Sequence, residues 1–350
     1  MRATVRRNAP RLGASSAIVL VWLILGFSAT VSDAVEVNRT YSYDTISPAG
    51  KSAIATFRQA YRDFLGRELA AYEPAVRDEI TQVFEACLDN NYKGDLWASN
   101  ALLNALNKKH RNEPVVLWHL AVNYFVIARR LPEEQSDEQA RLLRIGYNHC
   151  RKCLRLDKKN PDCLLAYAAS HGALALAEGI FDTVSEISDV KDELHQAYRQ
   201  LNREKDRCPM APWDADSRHV ALAGLSEFYR LTPDWFLFRV VAGVRGDKKK
   251  SWSYARKLKV ADLPTANVVA RSALCYGADS ENQNLINQGI AIVAKAIKFD
   301  LLHPFDEQEY RRLARLHNAI QALDDPDPDD YYDLGCNEFG NDDEDALKDK

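Results

Sequence analysis

Cys150 and Cys153 stand three positions apart, with His149 just before them and Cys163 a little further on. Thiolates and imidazoles at such spacings are the raw material of zinc sites, disulfide exchange and haem attachment. Each of those chemistries needs more than this stretch supplies. A thioredoxin-like pair needs a strand–helix–strand setting, which the surrounding pattern lacks. Haem attachment needs its histidine after the second cysteine, not before the first. Zinc would need two ligands beyond the pair; Cys163 and His149 are nearby in sequence, but no structural ligand set is apparent. On a helix the two cysteines fall one turn apart on one face, where they read as small core residues.

The eight histidines, His110, His119, His149, His171, His195, His219, His303 and His317, are scattered along the chain. None belongs to a His-Glu-x-x-His motif, and there is no Gly-x-Ser-x-Gly elbow, phosphate loop or dinucleotide glycine fingerprint. No catalytic residue, metal or cofactor is assigned, and the chain reads as a non-enzyme. One basic cluster stands out: Lys248, Lys249, Lys250 and Trp252, followed by Arg256, Lys257 and Lys259. Cations beside an aromatic ring can meet anionic lipid headgroups or the acidic end of a peptide. A solvated loop, or a meeting with the chain's own acidic residues, are the alternatives. Asn38-Arg39-Thr40 is a glycosylation acceptor sequence, used only if this end enters a secretory lumen.

Charge is unevenly placed over the 350 residues. Residues 324–350 hold twelve acids and two lysines, a local charge of −10, and residues 1–34 carry +3. With a formal total of −4, the body between them is nearly neutral at +3. A nucleic-acid partner is therefore not expected, since nothing here would release counterions from a phosphate backbone. The acid-rich, proline-broken stretch from Asp324 to Lys350 reads as a disordered tail, and it lacks the glycine and terminal glutamate of a calcium loop.

At the other end, Arg2, Arg6, Arg7 and Arg11 precede an uncharged stretch whose strongest part is Ala17 to Phe27. Ser32 and Ala34 then place small residues at a cut after Ala34. The first reading is a secretory signal; a retained membrane anchor and a mitochondrial address are its rivals. The seven cysteines cannot all pair within one chain. One or two disulfides would suit an oxidising lumen, yet the cysteines are too sparse for a disulfide-built scaffold.

The elements that must carry these residues are helices. With 46% apolar residues, 15 glycines and 13 prolines, the chain is globular and poor in the turn residues a β-sandwich consumes. From about Ser47 to Leu323 apolar residues recur every three or four positions. Leu117, Leu120, Ala121, Tyr124 and Ala128 share one face of a helix that Pro114 can begin, and Asn160-Pro161 starts another. Further helices are expected near 51–70, 74–89, 95–109, 186–205, 215–230, 265–277, 281–299 and 305–322.

Internal similarity is the sharpest signal. Gly146-x3-Cys150-x2-Cys153-Leu154-x-Leu156-Asp157 matches Gly289-x3-Val293-x2-Ala296-Ile297-x-Phe299-Asp300 position for position. Leu117-x2-Leu120-Ala121-x2-Tyr124 likewise parallels Leu164-x2-Tyr167-Ala168-x2-His171. Small residues at these places allow two helices to cross closely. The spacings resemble the tetratricopeptide repeat. The segment order also resembles the regulator of microtubule dynamics family: Leu117-Trp118-x-Leu120-Ala121, then Asp216-Ser217-Arg218-His219-x4-Gly224-x3-Phe228, then Trp235-Phe236. That resemblance covers roughly residues 75–320 and implies roles in cytoskeletal regulation or membrane-contact tethering.

The expected molecule is all-α, a tetratricopeptide-like right-handed superhelix of stacked antiparallel helix pairs. Residues 1–34 are read as a signal peptide or N-terminal membrane anchor, 45–323 as the repeat domain and 324–350 as the acidic tail. A single helical hairpin cannot bury its apolar face alone, so stacked neighbours form a common core with a groove. The expected function is a protein-interaction scaffold or adaptor holding a protein or peptide segment in that groove, with membrane association through the N-terminus. A lipid or apolar small-molecule binding or transfer protein is the alternative. The expected location is the secretory pathway, lumenal or extracellular; the alternative is membrane anchoring at the ER or the mitochondrial outer membrane.

Overall fold

A computed structural model describes residues 35–178, 186–203, 209–210, 215–232 and 243–336. The leader and residues 337–350 lie outside these. From Glu36 onward the chain forms one compact unit. Among the described residues there are thirteen α-helices and a single two-residue antiparallel ladder, Pro209–Met210 with Ala215–Asp216.

The first eight helices are α1 (Pro48–Glu68), α2 (Pro74–Tyr92), α3 (Leu96–Lys109), α4 (Pro114–Arg130), α5 (Ser136–Leu156), α6 (Pro161–Glu178), α7 (Ile187–Leu201) and α8 (Ser217–Leu231). The last five are α9 (Lys248–Ala255), α10 (Leu263–Asp279), α11 (Gln283–Ala296), α12 (Asp306–Ala322) and α13 (Pro328–Gly335). Their starts follow from local chemistry. Proline occupies the first turn of α1, α2 and α4, where a missing N–H is harmless. Asp95, Asn160, Asp216, Asp247 and Asp262 cap α3, α6, α8, α9 and α10 through side-chain oxygens, each cap contributing about 1 kcal/mol.

Successive helices pack on one another, and α4 on α6, α6 on α8, α8 on α10 and α10 on α12 add next-neighbour contacts. This is the stacking of a helical-repeat array. Two helices lie at its centre. In α4 every residue from Val115 to Asn123 is buried, and in α10 nearly every residue is. A helix apolar on all sides belongs in a core. One continuous core runs from Phe57 on α1 to Tyr229 on α8, with Trp118 fully enclosed.

The sequence repeat is a repeat of environment. A Cβ on Gly146 would meet the Ala121 carbonyl at 3.0 Å, and one on Gly289 would meet the Ala270 carbonyl at 3.1 Å. Each glycine thus lets its helix touch the backbone of the central helix before it. Cys150 and Cys153 on α5, and Val293 and Ala296 on α11, are all fully buried. The likeness stops at the closing acid. Asp157 accepts from the Lys159 backbone N–H at 3.1 Å, whereas Asp300 accepts from the Ser47 hydroxyl.

Two segments differ from the sequence reading. Lys248–Ala255, read as a basic surface run or loop, is helix α9. Pro328–Gly335, read as part of a disordered tail, is helix α13, opened by an Asp327–Asp330 capping box and packed on α10. Gly335 lets α13 approach closely, since a Cβ there would stand 2.6 Å from the Cys275 backbone nitrogen. Cys275 and Cys336 form a disulfide at the same place, with a Cα separation of 4.8 Å. A second disulfide, Cys153–Cys163, joins the end of α5 to the first turn of α6.

The array closes on itself. Arg39 donates from Nη1 to the Phe299 carbonyl at 2.8 Å, and the Tyr41 amide donates to Glu307 Oε1 at 2.8 Å. The Tyr41 hydroxyl reaches the Tyr92 carbonyl at 2.9 Å, while Tyr92 packs edge-on against His303. Residues before and within α1 and α2 thereby meet the segment that joins α11 to α12.

Candidate functional site

The array holds an open-sided cavity of about 430 Å³ lined from α4, α6, α7, α8, α10 and the start of α12. Its walls are apolar: Phe125, Val126, Leu165, Ile187, Val190, Leu194, Phe228, Leu231, Val268 and Phe305 face it. The space exists because α6 and α8 present small residues. Ala168, Ala169, Gly172 and Ala173 recur on one face of α6, and Ala223 and Gly224 on one face of α8. Two glycines also permit close helix crossings: Cβ atoms on Gly172 and Gly224 would lie 3.3 Å from Val190 and 3.1 Å from Leu194 on α7.

The carboxylates bordering the cavity are already engaged. Glu227 accepts from Arg230 Nη2 at 2.8 Å, and Asp262 accepts from the Thr265 amide at 2.8 Å and its hydroxyl at 2.6 Å. Glu309 accepts from Asn267 Nδ2 at 2.9 Å and Arg312 Nη1 at 3.2 Å. A largely apolar cleft whose carboxylates are paired suits an apolar group, not a strongly charged one. The segment Asp216 to Phe228 is put to two uses. Asp216 caps α8 and pairs with Arg218 at 2.9 Å, while His219, Gly224 and Phe228 line the cavity. Trp235 and Phe236 lie outside the described residues.

The strongly perturbed histidines sit elsewhere. His119 is enclosed by Phe84, Trp118 and Tyr61. Its Nδ1 faces the Val115 carbonyl at 2.6 Å, which fixes the proton there and leaves Nε2 to accept from the Tyr61 hydroxyl. Burial pulls its pKa down from 6.5 to about 3. His303 is likewise buried and pulled to about 3, with Arg130 reinforcing the shift. Its Nδ1 accepts from the Phe305 amide at 3.1 Å, which leaves a buried Nε2 with no hydrogen-bond partner. At His171 burial pushes the pKa down, but Glu193 at 3.2 Å and Glu186 at 3.0 Å outweigh it and raise the pKa above 6.5. None of these three rings lines the cavity; the one histidine at its wall is His219. Among the described residues, no group of three or more His, Cys, Asp or Glu side chains could hold a metal ion.

Comparison with known families gives one match, over α2 to α7. Residues 79–208 match the family described as Regulator of microtubule dynamics protein 1-3. The chain resembles these microtubule regulators over that range, which is shorter than the 75–320 expected from the motifs. A comparison with curated proteins finds no match. Within the matched range lie Leu117-Trp118, the crossing at Ala121 and Gly146, the Cys153–Cys163 bridge and the α6 and α7 walls of the cavity. The His219 to Phe228 segment falls beyond it.

The basic residues singled out in the sequence gather on and just after α9, outside the matched regulator range. Lys248 is buried, donating from Nζ to the Arg230 carbonyl at 2.9 Å, so it closes the end of α8 instead of meeting solvent. Lys249, Lys250, Arg256 and Lys257 are exposed, and Trp252 is half-buried against the core of α8 to α10. Asn38 is exposed. Of the cysteines read as packing residues, Cys150 remains a free buried thiol, with burial pushing its pKa up, while Cys153 is bridged to Cys163. Sequence reasoning expected a groove in the array but did not say which helices form it. Its one signal was the alanine- and glycine-rich run from Ala166 to Ala177 on α6.

Proposed function

We propose that this protein is a non-enzymatic adaptor whose open-sided apolar cavity takes an apolar-anchored segment of a protein partner, in keeping with its likeness to microtubule regulators. The observation that carries the reading is the cavity of about 430 Å³, apolar in its walls and with its bordering carboxylates paired. Such a volume accommodates one or two large side chains, the usual anchors of a bound segment. Phe at Ala169 and Ala223, both half-buried lining positions, would fill the space. A ligand protein captured by the wild type should be lost by Ala169→Phe/Ala223→Phe while helical content and melting temperature hold. Equal capture by both proteins would refute the assignment of the cavity.

The same cavity favours a second reading, an acyl chain or other apolar small molecule as the occupant. Native mass spectrometry separates the two: an adduct of lipid mass that the double Phe variant lacks would select the lipid. For location, two disulfides and an exposed Asn38 support an oxidising secretory compartment. A mature amino terminus at Val35, read by N-terminal sequencing, would agree; an intact Met1 would not.

A further inference from the structure

The face of α8 that looks away from the cavity carries a different surface. Val220, Ala223 and Phe228 look inward, while Tyr229 on the other side joins a cluster with Tyr254 of α9 and Tyr198 of α7. Tyr229 and Tyr254 stack 5.9 Å apart, and Tyr198 meets Tyr254 edge-on at 6.2 Å. Two lysines are held over these rings: Lys250 Nζ lies 5.1 Å from the Tyr229 centroid, and Lys257 Nζ lies 5.2 Å from Tyr254 and 6.0 Å from Tyr198. A flexible ammonium gains position from such a contact, so part of the ordering cost of binding is met beforehand.

Around His195 cations outnumber acids, while Asp247 and Asp192 act on the Tyr229 hydroxyl. His195 bonds the Tyr229 hydroxyl through Nε2 at 3.0 Å, and after burial its pKa is pushed below 6.5 by Arg199, Lys191 and Lys250, against Asp192 alone. Asp247 is drawn to Lys250 at 3.7 Å, but Lys249, Arg256, Lys257 and Lys259 add exposed cations along the same short stretch. We propose that this tyrosine-backed row of cations, separate from the cavity, is a docking surface for an acidic polypeptide segment. Carboxylates would meet Lys250, Lys257 and their exposed neighbours, while the rings beneath hold the two ammonium groups in place. A membrane fits less well. An interfacial helix inserts an apolar face into lipid, and here Trp252 and Ala255 turn into the core, leaving no exposed large apolar side chain on α9.

The test is fluorescence polarisation with a labelled oligoglutamate peptide, an oligoglutamine control and phosphatidylserine-containing vesicles as competitor. It is run on the full chain and on a variant with Glu338, Asp342, Asp343, Glu344 and Asp345 changed to their amides. That variant removes the chain's own acids as a mask. Binding of the acidic peptide alone, weakened by salt and reduced at least about tenfold by Lys250→Glu/Lys257→Glu, supports the surface. No binding by either chain, equal binding by the reversal variant, or displacement of the peptide by the vesicles in preference to it would overturn the proposal. Ala169→Phe, on the α6 wall of the cavity, should leave this binding unchanged, so its outcome is independent of the cavity.

Discussion

His119 offers a sharp test of how this core is built. Its ring is enclosed on all sides and stays neutral because burial has drawn its pKa from 6.5 to about 3. The unfolded chain takes up a proton as pH falls through 6.5, whereas the folded chain refuses it until about 3. Stability from this residue is therefore complete above pH 6.5 and is lost on acidification, at about 1.4 kcal/mol per pH unit. Between pH 7 and 4.5 the loss comes to about 2.5 kcal/mol. His119→Gln keeps an acceptor for the Tyr61 hydroxyl and removes the titration. Urea unfolding followed by tryptophan fluorescence at steps between these pH values gives the slope for each protein. Carboxylates titrating in this range act on both alike, so the difference between the curves isolates the histidine. Wild type should lose about 2.5 kcal/mol more than the variant across the range. Parallel curves would mean that His119 is solvated or already charged in the fold, and the tautomer assigned from Val115 and Tyr61 would be wrong.

Other outcomes follow from the same structure. Replacing Cys275 and Cys336 by Ala should lower unfolding free energy by about 4 kcal/mol, and replacing Cys153 and Cys163 by about 3, because the first pair closes the longer loop; denaturant titration measures both. Gly146→Val and Gly289→Val should each destabilise by about 1–3 kcal/mol through the clash with the Ala121 and Ala270 carbonyls. Gly66→Ala, with nothing within 4 Å of the new methyl group on helix α1, should instead stabilise by about 0.5–1 kcal/mol, read as a higher melting temperature. His171→Gln should cost stability below pH 6.5, where the native imidazolium keeps Glu193 and Glu186 as partners. That deficit should shrink as pH rises through the raised native pKa.

Most of the helices were legible because their apolar periods are long and their starts carry proline or an acid. The two that escaped share a physical reason. In α9 the buried positions are Lys248, Ser251 and Ala255, which hold helical spacing but carry no apolar signal. Lys248 is buried only because the Arg230 carbonyl receives its ammonium, a contact no local pattern announces. α13 is eight residues rich in acid, held by Tyr331, Gly335 and a bridge to Cys275 far back in the chain. The cavity's place was hidden for a related cause. Its walls come from six helices, and the alanines of α6 look like ordinary close-packing residues until α7, α8 and α10 are set around them. The repeat at Gly146 and Gly289 was readable because each glycine meets a carbonyl of its immediate predecessor.

The joining of Arg39 and Tyr41 to the stretch between α11 and α12 has a consequence for how this molecule could change over time. Open solenoids gain or lose units freely, since a new module only needs a neighbour on either side. Here the segment before α1 is bonded to residues at the end of α11 and the start of α12, so an added hairpin would have to break that seam. Evolution can decorate such an array, but lengthening it costs those bonds.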